Sequence, residues 1–412
     1  MAKLDKLIEE LCPDGVEHVK LGEVCDFQNG FAFKSNLFKS HGLPIVRITN
    51  IDGANVDLTD VKYFNPSDYK RGNPLNYCIK EGDILIAMSG ATTGKIGYYN
   101  KNKPAYLNQR VGKFIPNKEL ISNRYLYHFI LTKTELLYDL AGGGAQPNLS
   151  SNKLKEKIII PLPPLPVQEE IVRILDNFTE LTAELTAELT ARKKQYEFYR
   201  EDLLGFEGRD DVEWKKLGEV CNVHAGGTPS KSKREYWEGG SIKWLNSSVC
   251  KNRKTVEEVS DYITPLGHEK SSARLMEKGT TLIAMVGATI GKLAYLPYKA
   301  TINQNVAGVY PKDTNEVCPD YVYYACSLLY KHFMQLGQGG IALANLTFIR
   351  GLEIPIPSLA EQERIVSILD KFDALVNDIS IGLPAEIEAR QKQYEYYREK
   401  LLSFKELDKK EA

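Results

Sequence analysis

The chain has 412 residues, of which 43% are hydrophobic and 26% are charged, and its formal net charge is −1. Its length allows two or three domains with cores of their own, and its composition is that of an ordinary globular protein without an apolar run long enough to span a membrane. The seven cysteines are scattered and form no CxxC pair. This argues against a disulfide framework or a zinc site and favours a reducing, cytoplasmic compartment.

The charges are unevenly distributed along the chain. Residues 19–160 carry 19 Lys and Arg against 12 Asp and Glu, residues 215–356 carry 17 against 12, and the remainder carries 17 against 30. Two basic modules connected by acidic segments are typical of a protein whose globular parts bind phosphate groups. From the charges alone, the alternative stays open that the modules and the other segments differ in surface charge without any role in binding.

The first predicted element is a short amphipathic helix in MAKLDKLIEELCPDG, which contains acidic residues and lacks the apolar centre of a signal peptide. Residues 3–22 resemble residues 201–218, EDLLGFEGRDDVEWKKLG, at the junction between the two halves of the chain. We therefore predict that the N-terminal helix is a fragment of a helical arm and lies near the end of the C-terminal arm.

Internal duplication is the strongest signal in the sequence. The repeated segments keep an offset of 194 to 198 residues, which indicates two copies of one unit. Residues 26–80 and 222–277 scarcely align. Two copies that share the other segments but differ in these would recognise two different targets. The matched pairs are LGEVC at 21–25 and 217–221, GDILIAMSGATTGKIGYY at 82–99 and GTTLIAMVGATIGKLAYL at 279–296, and LNQRVGKFIP at 107–116 and INQNVAGVYP at 302–311.

Each copy begins with a module that the sequence predicts to be mixed α/β. Short apolar runs bounded by glycine indicate buried strands, tyrosine-containing segments indicate helices, and glycine-rich segments indicate flexible loops before a final strand. In the two copies these are the strands at 84–88 and 281–287, the helices at 125–132 and 321–330, the loops at 142–144 and 337–340, and the final strands KIIIPLP and LEIPIP.

Each module is followed by a helical arm, at 161–206 and 355–404, whose apolar residues form one stripe. Such a helix needs a partner helix, so we predict that the arms form a coiled coil. Ser358 and Glu361 predict a capping box at the start of the second arm, and Gly382–Pro384 should break it into two helices. The predicted coil and partner-binding residues are Ile171, Leu175, Phe178, Leu185, Leu189, Tyr196, Tyr199, Ile365, Leu369, Phe372, Tyr394 and Tyr397.

No motif in the sequence indicates catalysis. Residues 90–95 and 287–292 suggest a phosphate-binding loop, but their spacing is one residue short of GxxxxGK[ST], and Ile96 and Leu293 stand where Ser or Thr would bind magnesium. A hairpin turn with a lysine at its foot is the better interpretation. The six histidines form no metal-binding pattern, and we predict a non-catalytic chain that holds no metal or cofactor itself.

Polar and basic residues of the modules fit contact with nucleic acid. Arg, Asn and Gln pair bidentately with guanine or adenine edges, and Lys anchors phosphate. Each residue taken singly is also consistent with a solvated loop or a capping side chain, whereas the set as a whole predicts DNA binding. The candidates are Lys34, Arg47, Thr49, Asn50, Thr92, Lys95, Asn108, Gln109, Arg110, Thr228, Lys231, Lys233, Arg234, Trp244, Asn246, Ser247, Thr289, Lys292, Asn303, Gln304 and Asn305.

Specific motifs recur in the order module, arm, module, arm. They are LGEV at the module starts, IPLPPLPVQEEIVRILD and IPIPSLAEQERIVSILD at the arm starts, RKKQYEFYREDLL and RQKQYEYYREKLL at the arm ends, and LTAE at 181–184 and 185–188. This order and these motifs resemble those of the DNA specificity subunits of type I restriction-modification systems over nearly the whole chain. The resemblance implies two target recognition domains, each reading one half of a bipartite, asymmetric site in double-stranded DNA, separated by antiparallel arms.

The same resemblance implies the partners. The arms would dock two modification (methyltransferase) subunits, which would bind S-adenosylmethionine, and further restriction (motor-nuclease) subunits would use ATP and magnesium. The first arm would set a distance, since Val167 to Phe206 spans roughly 60 Å as a helix. Two alternatives stay open: a fused enzyme subunit, which the absence of a methyltransferase motif disfavours, and a coiled-coil interaction scaffold that does not bind DNA, which the basic modules disfavour.

The expected architecture is therefore an α/β fold with an internal pseudo-two-fold repeat. Two similar mixed α/β recognition domains are separated by two long helices. The expected boundaries are an N-terminal helix at 1–18, a first recognition domain at 19–163, a first arm at 164–206, a second recognition domain at 207–356, a second arm at 357–404 and a tail at 405–412.

Overall fold

The chain divides into two compact units, and each is described by itself. Unit 1 comprises Met1–Ala183 with Ala389–Ala412, and unit 2 comprises Glu184–Glu388. Residues 143–144 and 337–340 of the predicted glycine-rich loops lie outside the described residues. No helix in the described part of the chain is long and apolar enough to cross a membrane. The computed structural model describes residues 2–142, 147–256, 259–336, 343–378 and 381–407.

Unit 1 starts with a helix, continues into a mixed module and ends in a long helix that runs on into unit 2. Its helices are α1 (Ala2–Leu11), α2 (Leu21–Val24), α3 (Asn123–Leu131), α4 (Thr134–Leu140), α5 (Ser151–Lys157) and α6 (Leu165–Leu204). Its strands are β1 (Glu17–Lys20), β2 (Cys25–Asn29), β3 (Leu43–Val46), β4 (Lys62–Phe64), β5 (Cys78–Ile79), β6 (Ile84–Ala87), β7 (Ile96–Tyr98), β8 (Ala105–Leu107), β9 (Val111–Pro116) and β10 (Ile159–Leu162).

Unit 2 repeats this order. Its strands are β11 (Glu213–Lys216), β12 (Cys221–Ala225), β13 (Ile242–Leu245), β14 (Asp261–Ile263), β15 (Leu275–Met276), β16 (Thr281–Ala284), β17 (Leu293–Tyr295), β18 (Ala300–Ile302), β19 (Val306–Pro311) and β20 (Glu353–Ile356). Its helices are α7 (Leu217–Val220), α8 (Pro265–Glu269), α9 (Pro319–Ser327), α10 (Tyr330–Leu336), α11 (Leu346–Gly351), α12 (Leu359–Asn377) and the start of α13 (Leu383–Leu401).

The two units share one sheet topology. Unit 1 has sheets of order β1-β10, β2-β9-β6-β7 and β4-β3-β8-β5, and unit 2 has β11-β20, β12-β19-β16-β17 and β14-β13-β18-β15. The strand pairs are antiparallel except β3 with β8 and β13 with β18. Residues 26–80 and 222–277, which scarcely align in sequence, therefore fold onto equivalent strands. The apolar pattern of these strands is retained although their residues are not.

The predicted apolar strands form the centre of each unit. All four residues of β6 and all four of β16 are buried, as expected for runs that pack on both faces of a sheet. Cys25 and Cys221, which open β2 and β12, are buried core residues, and burial raises the pKa of each thiol to about 12. They are packing residues, as their matching positions in the repeat predict.

The arm stripe lies inside the units. All twelve predicted stripe residues are buried or half-buried. In unit 1 the rings of Phe178 and Tyr397 stack with centroids 5.4 Å apart, and in unit 2 Tyr199 and Phe372 stack at 5.3 Å. These pairs occupy equivalent positions in the repeat, and each joins residues from the two predicted arms. The contacts support the predicted coil and leave little of these side chains for a partner.

The second arm consists of two helices, where the sequence predicts a break. Helix α12 ends at Asn377 and α13 begins at Leu383. A side chain at Gly382 would place a Cβ 2.5 Å from the carbonyl oxygen of Ala374 and 2.6 Å from that of Asp378, so only glycine fits there. Pro384 follows in the first turn of α13, where a missing N–H leaves no intrahelical bond unmade.

The N-terminal helix lies beside the end of the C-terminal arm, as the repeat predicts. The backbone N–H of Val16 donates to the carbonyl of Lys405 (3.0 Å), and Leu407 N–H donates to Val16 (2.9 Å). Leu4 of α1 is buried in the same cluster as Leu401. Both segments belong to unit 1.

Candidate nucleic-acid interface

The parallel strands β3 and β8 end together and bring two predicted segments to one edge of unit 1. Val46 pairs with Leu107 in the ladder, so Arg47 and Asn108 are the next residues on neighbouring strands. Asn108 N–H donates to the carbonyl of Val46 (3.0 Å). Carboxyl ends of parallel strands meet on one side of a sheet, which is a common location for ligand contacts.

The glycine turn at residues 90–95 reaches the same edge. The hydroxyl of Thr92 donates to the carbonyl of Ile48 (3.2 Å), and Met88 N–H donates to the carbonyl of Arg110 (2.8 Å). Gly94 N–H donates to Ala87 (2.9 Å), which closes the segment as a tight turn between β6 and β7. The predicted hairpin turn is confirmed, and residues 47–49, 90–95 and 108–110 together form the loop edge of unit 1.

Unit 2 has the equivalent loop edge, formed by residues 246–248, 287–292 and 303–305. Asn303 N–H donates to the carbonyl of Leu245 (2.9 Å), and Met285 N–H donates to Asn305 (2.9 Å). Gly227 N–H donates to Ile302 (2.9 Å) and brings the start of the predicted basic loop to the same place. The structure thus assembles at one edge candidates that the sequence distributes over three or four segments.

Three candidates are structural instead of available to a ligand. Asn50 is 4% exposed; its side-chain oxygen accepts the N–H of Arg47 (3.0 Å), and its amide donates to Asp60 (2.9 Å). Trp244 is 5% exposed, and its indole N–H donates to Gly227 (3.0 Å). Asn303 is also buried. These side chains hold turns together, which the sequence alone does not reveal because it does not separate a capping amide from a reading amide.

The remaining candidates keep their predicted role. Arg47 is half-buried, and its Nε is buried without a hydrogen-bond partner among the described residues. A donor in that state is uncommon unless a ligand completes it. The exposed candidates are Lys34, Thr49, Lys95, Gln109, Arg110, Lys231, Lys233, Arg234 and Gln304, and the half-buried ones besides Arg47 are Thr92, Asn108, Thr228, Asn246, Ser247, Thr289, Lys292 and Asn305.

The basic loop of unit 2 is partly ordered by its own aromatic residues. Lys233 Nζ donates to the hydroxyl of Tyr236 (3.1 Å), and Lys231 Nζ lies 5.9 Å from the ring centre of Trp237. Arg234 forms an exposed ion pair with Glu238. Exposed pairs of this kind add little stability and exchange readily for phosphate. No group of three or more metal-ligating side chains occurs in the described ranges.

Comparisons with known proteins agree with this geometry. The family model described as "Type I restriction modification DNA specificity domain" matches residues 13–192 and 209–389, one match for each copy of the repeat. The chain belongs to this family. Its members are specificity subunits, the non-catalytic components that give a type I restriction-modification complex its DNA sequence specificity.

Individual relatives cover most of the specificity subunit. The Escherichia coli type I restriction enzyme EcoR124I/EcoR124II specificity subunit is 42% identical over 299 residues, 70% of this chain and 72% of that protein. A Haemophilus influenzae protein whose name places it in the same class is 34% identical over 97% of this chain and 98% of its own. Among solved structures, the S subunit from M. genitalium covers 94% of this chain and 96% of its own, at a TM-score of 0.60 and 16% identity, which supports the fold.

A second surface lies on the arms, outside the apolar stripe that the sequence predicts. Phe198 in unit 2 is 64% exposed and Tyr396 in unit 1 is 61% exposed, and the two occupy equivalent positions in the arms. Each ring packs edge-on against the next residue, Tyr199 or Tyr397, with centroids 5.5 and 5.3 Å apart. The signal was present in the sequence as an aromatic residue off the stripe in both copies.

A groove lies at the base of each arm, in equivalent places. In unit 2 it has a volume of about 740 Å³, and Leu204 and Trp214 are among its lining residues. In unit 1 it has a volume of about 390 Å³, with Leu402 and His18 at the matching positions. The subunit therefore presents two copies of one surface, made of an exposed aromatic residue and a groove further along the arm.

Proposed function

We propose that each unit reads one half of a bipartite, asymmetric site in double-stranded DNA through its loop edge. The supporting observation is that the two loop edges share one backbone arrangement but carry different side chains. A shared scaffold with different reading groups is what an asymmetric site requires of a duplicated protein. The basic charge of both modules supplies the sequence-independent attraction to phosphate.

The groups at the loop edges suit recognition of base edges. Gln109 and Arg110 in unit 1 and Gln304 in unit 2 are exposed, and these residue types form bidentate hydrogen bonds with purines in the major groove. Lys95 stands at the foot of the glycine turn, where an ammonium group would contact phosphate. Arg47, with its unpartnered Nε, is a further candidate for a phosphate or a guanine.

The arms would dock two modification (methyltransferase) subunits. Support comes from the duplicated surface: Phe198 and Tyr396 are exposed in the same way, and each unit has its own groove. Two equivalent surfaces suit two copies of one partner. The methyltransferase subunits would bring S-adenosylmethionine, and restriction subunits in the full complex would bring the ATP- and magnesium-dependent chemistry, in the cytoplasm where the DNA is.

Exchange of one module tests the half-site proposal. Residues 26–160 are replaced by the equivalent module of another specificity subunit, and the complex with its methyltransferase subunits is assayed for the DNA motif it methylates. We expect one half of the motif to change and the other to remain. The reciprocal exchange of residues 222–356 should change the other half only. A change in both halves from either exchange would contradict the proposal.

Salt dependence separates DNA reading from the alternative of a scaffold that does not bind DNA. Affinity of the complex for duplex DNA should fall steeply with salt, because contacts with phosphate release counterions. It should also differ between a duplex with the methylated motif and one with that motif scrambled. Binding without sequence preference in the assembled complex would favour the scaffold.

A further inference from the structure

The loop edge of each unit contains one turn with the same construction. In unit 1 it is Asn108-Gln109-Arg110, and in unit 2 it is Asn303-Gln304-Asn305. The asparagine side-chain oxygen accepts the N–H of the third residue, at 3.4 Å in unit 1 and 3.0 Å in unit 2. The side-chain oxygen of the first residue of each turn thus shapes the backbone of the turn.

Both ends of the turn are tied to neighbouring strands. Its first N–H donates to the end of the parallel strand, at Val46 or Leu245, and its last carbonyl accepts from the residue after β6 or β16, at Met88 or Met285. These four bonds are 2.8 to 3.0 Å long. A backbone fixed on both sides presents its second and third side chains with little remaining freedom, which is the preorganisation that selective binding needs.

The second residue is the same in the two turns and the third differs. Gln109 and Arg110 are exposed; Gln304 is exposed and Asn305 half-buried. Arg forms two hydrogen bonds with O6 and N7 of guanine, whereas Asn pairs with N6 and N7 of adenine. We infer that the third residue of this turn is a base-reading position, that Arg110 selects guanine in the half-site of unit 1, and that Asn305 selects adenine in the half-site of unit 2.

A second difference fixes the shared glutamine in unit 2. The hydroxyl of Thr228 donates to Oε1 of Gln304 (2.6 Å), which turns the amide nitrogen of Gln304 outward as a donor. The equivalent residue in unit 1, Ala32, has no hydroxyl, so Gln109 can present either end of its amide. Thr228 is accordingly a positioning residue, and Gln304 is expected to face a base acceptor such as purine N7 or thymine O4.

The inference rests on the proposed function and is tested in the complex with its methyltransferase subunits. Arg110→Asn and Asn305→Arg are compared with the unchanged complex by selection of bound duplexes from a library randomised over the methylated motif. We expect Arg110→Asn to lower the preference for guanine at one position of one half-site by about tenfold or more. Asn305→Arg should replace adenine by guanine at one position of the other half-site.

Arg110→Lys and Lys95→Ala provide the matched controls. Arg110→Lys keeps the charge without the planar fork, so it should lose the guanine preference but keep the salt dependence. Lys95→Ala removes a cation from the same loop edge and should weaken all sequences alike. If Arg110→Asn behaves as Lys95→Ala does, Arg110 is a phosphate anchor and the inference is wrong. The half-site proposal would not be affected by that result, because the module exchange tests it independently.

Thr228→Ala and Thr228→Ser test the positioning role. Thr228→Ala should relax the preference at one position of the unit 2 half-site, because Gln304 can then rotate, and Thr228→Ser should restore it. The half-site of unit 1 is the internal control and should not change. An unchanged unit 2 half-site in Thr228→Ala would overturn the role of Thr228, and thermal unfolding of each variant shows whether the fold is intact.

Discussion

In each unit, an aspartate of the arm binds side chains of the module. The two aspartates occupy equivalent positions in the repeat, but their partners differ. In unit 1 the carboxylate of Asp176 binds the guanidinium of Arg124 and accepts from Nε2 of His128 (2.7 Å). In unit 2 the equivalent Asp370 accepts from the hydroxyl of Tyr324 (2.5 Å) and binds Nζ of Lys254. The same junction between arm and module is thus built from two different sets of side chains.

The difference shows how a fixed junction tolerates change in the module. The position of Arg124 is taken by an acid in unit 2, Asp320, and the cation comes instead from Lys254, which also binds Asp320 at 2.7 Å. Lys254 lies in the segment 222–277 that differs between the copies. We call the side chains that bind the arm aspartate the clamp of each unit. A variable segment therefore supplies part of the clamp in unit 2, whereas both clamp residues of unit 1, Arg124 and His128, belong to helix α3.

The largest effects should come from a junction that the two units build identically. Gln168 and Gln362 are fully buried, and each accepts a backbone N–H, from Ser122 (2.8 Å) or Cys318 (2.9 Å). Each amide also donates to two carbonyls. Leucine at either position removes three hydrogen bonds around a fully buried side chain, so we expect a loss of about 3 kcal/mol in the unfolding free energy of that unit.

Urea unfolding followed by hydrogen exchange locates that loss. Gln168→Leu should deprotect α3 and Gln362→Leu should deprotect α9, by similar amounts. Gln→Glu variants, which keep the acceptor, serve as the comparison. Equal deprotection of both helices in either variant would show that the units do not unfold separately and would remove the basis for comparing them.

The aspartates should show a smaller and unequal effect. Asp176→Asn removes the only ion-pair acceptor that the described residues give Arg124 and leaves a single acceptor oxygen for Arg124 and His128 together, so we expect about 2 kcal/mol of destabilisation. Asp370→Asn should lose about half as much, because Lys254 keeps Asp320 and the carboxylate of Asp370 is more exposed. Hydrogen exchange of α3 and α9 measures both. A larger effect for Asp370→Asn would contradict the shared role of Lys254.

The exposed aromatic pair should contribute to assembly and not to folding. Phe198→Ala and Tyr396→Ala should each weaken binding of one methyltransferase subunit by about tenfold, since exposed aromatic residues are common hot spots. The double variant should lose both subunits, and native mass spectrometry gives the stoichiometry. Leu120→Ala is the control. Leu120 is also exposed (42%), but the equivalent residue in unit 2 is Glu316, so Leu120 does not belong to a surface that both units share. Unchanged assembly in the double variant would place the docking surface elsewhere.

The clamp of unit 1 should also depend on pH. Burial lowers the pKa of His128 below its ordinary value of 6.5, against the raising effect of Asp176. The unfolded chain then binds a proton more readily than the folded one. The stabilisation is therefore fully present above the unfolded pKa of 6.5 and is lost as the pH falls from there through the lower pKa of the folded state.

Unit 2 provides the control for this pH dependence. Tyr324 takes the place of His128, and burial raises the pKa of Tyr324, so its hydroxyl stays protonated throughout. Protection of α3 should fall between pH 7.5 and 5.5 relative to α9, after correction for intrinsic exchange. His128→Tyr should make the two helices alike. Parallel loss in both helices would show that His128 is not the cause.

Much of the fold could be predicted from the sequence because duplication provides an internal comparison. The strands predicted at 84–88 and 281–287, which end at Ala87 and Ala284 in the structure, the arm stripe and the break near Gly382 depend on local patterns of burial and backbone geometry, which the residues carry directly. The common topology of residues 26–80 and 222–277 could not be predicted, since strands such as β3 and β13 share apolar character but few identities. Packing partners distant in sequence decide that topology.

The candidate site was predicted less well for a related reason. Polar residues after a strand either close the turn or point outward, and Asn50, Trp244 and Asn303 took the first role. Their hydrogen-bond partners include residues that only the fold brings near, such as Gly227 for Trp244. Residue type predicts the chemistry of a side chain, whereas its direction depends on tertiary contacts.

The smallest effect is expected where the two arms differ most. Helix α6 is continuous over 40 residues and contains the repeated LTAE, so deleting Leu185–Glu188 brings Leu189 into the place of buried Leu185 and keeps the stripe. The deletion shortens the helix by about 6 Å and slightly more than one turn. We expect the spacing between half-sites in the methylated motif to shift by one or two base pairs, with the half-sites unchanged. Insertion of a further LTAE should shift it the opposite way, and a change in the half-site bases would mean that the arm does not act as a spacer. The second arm is interrupted before Gly382 and contains no repeated LTAE unit. We therefore expect the first arm to set the spacing between the half-sites.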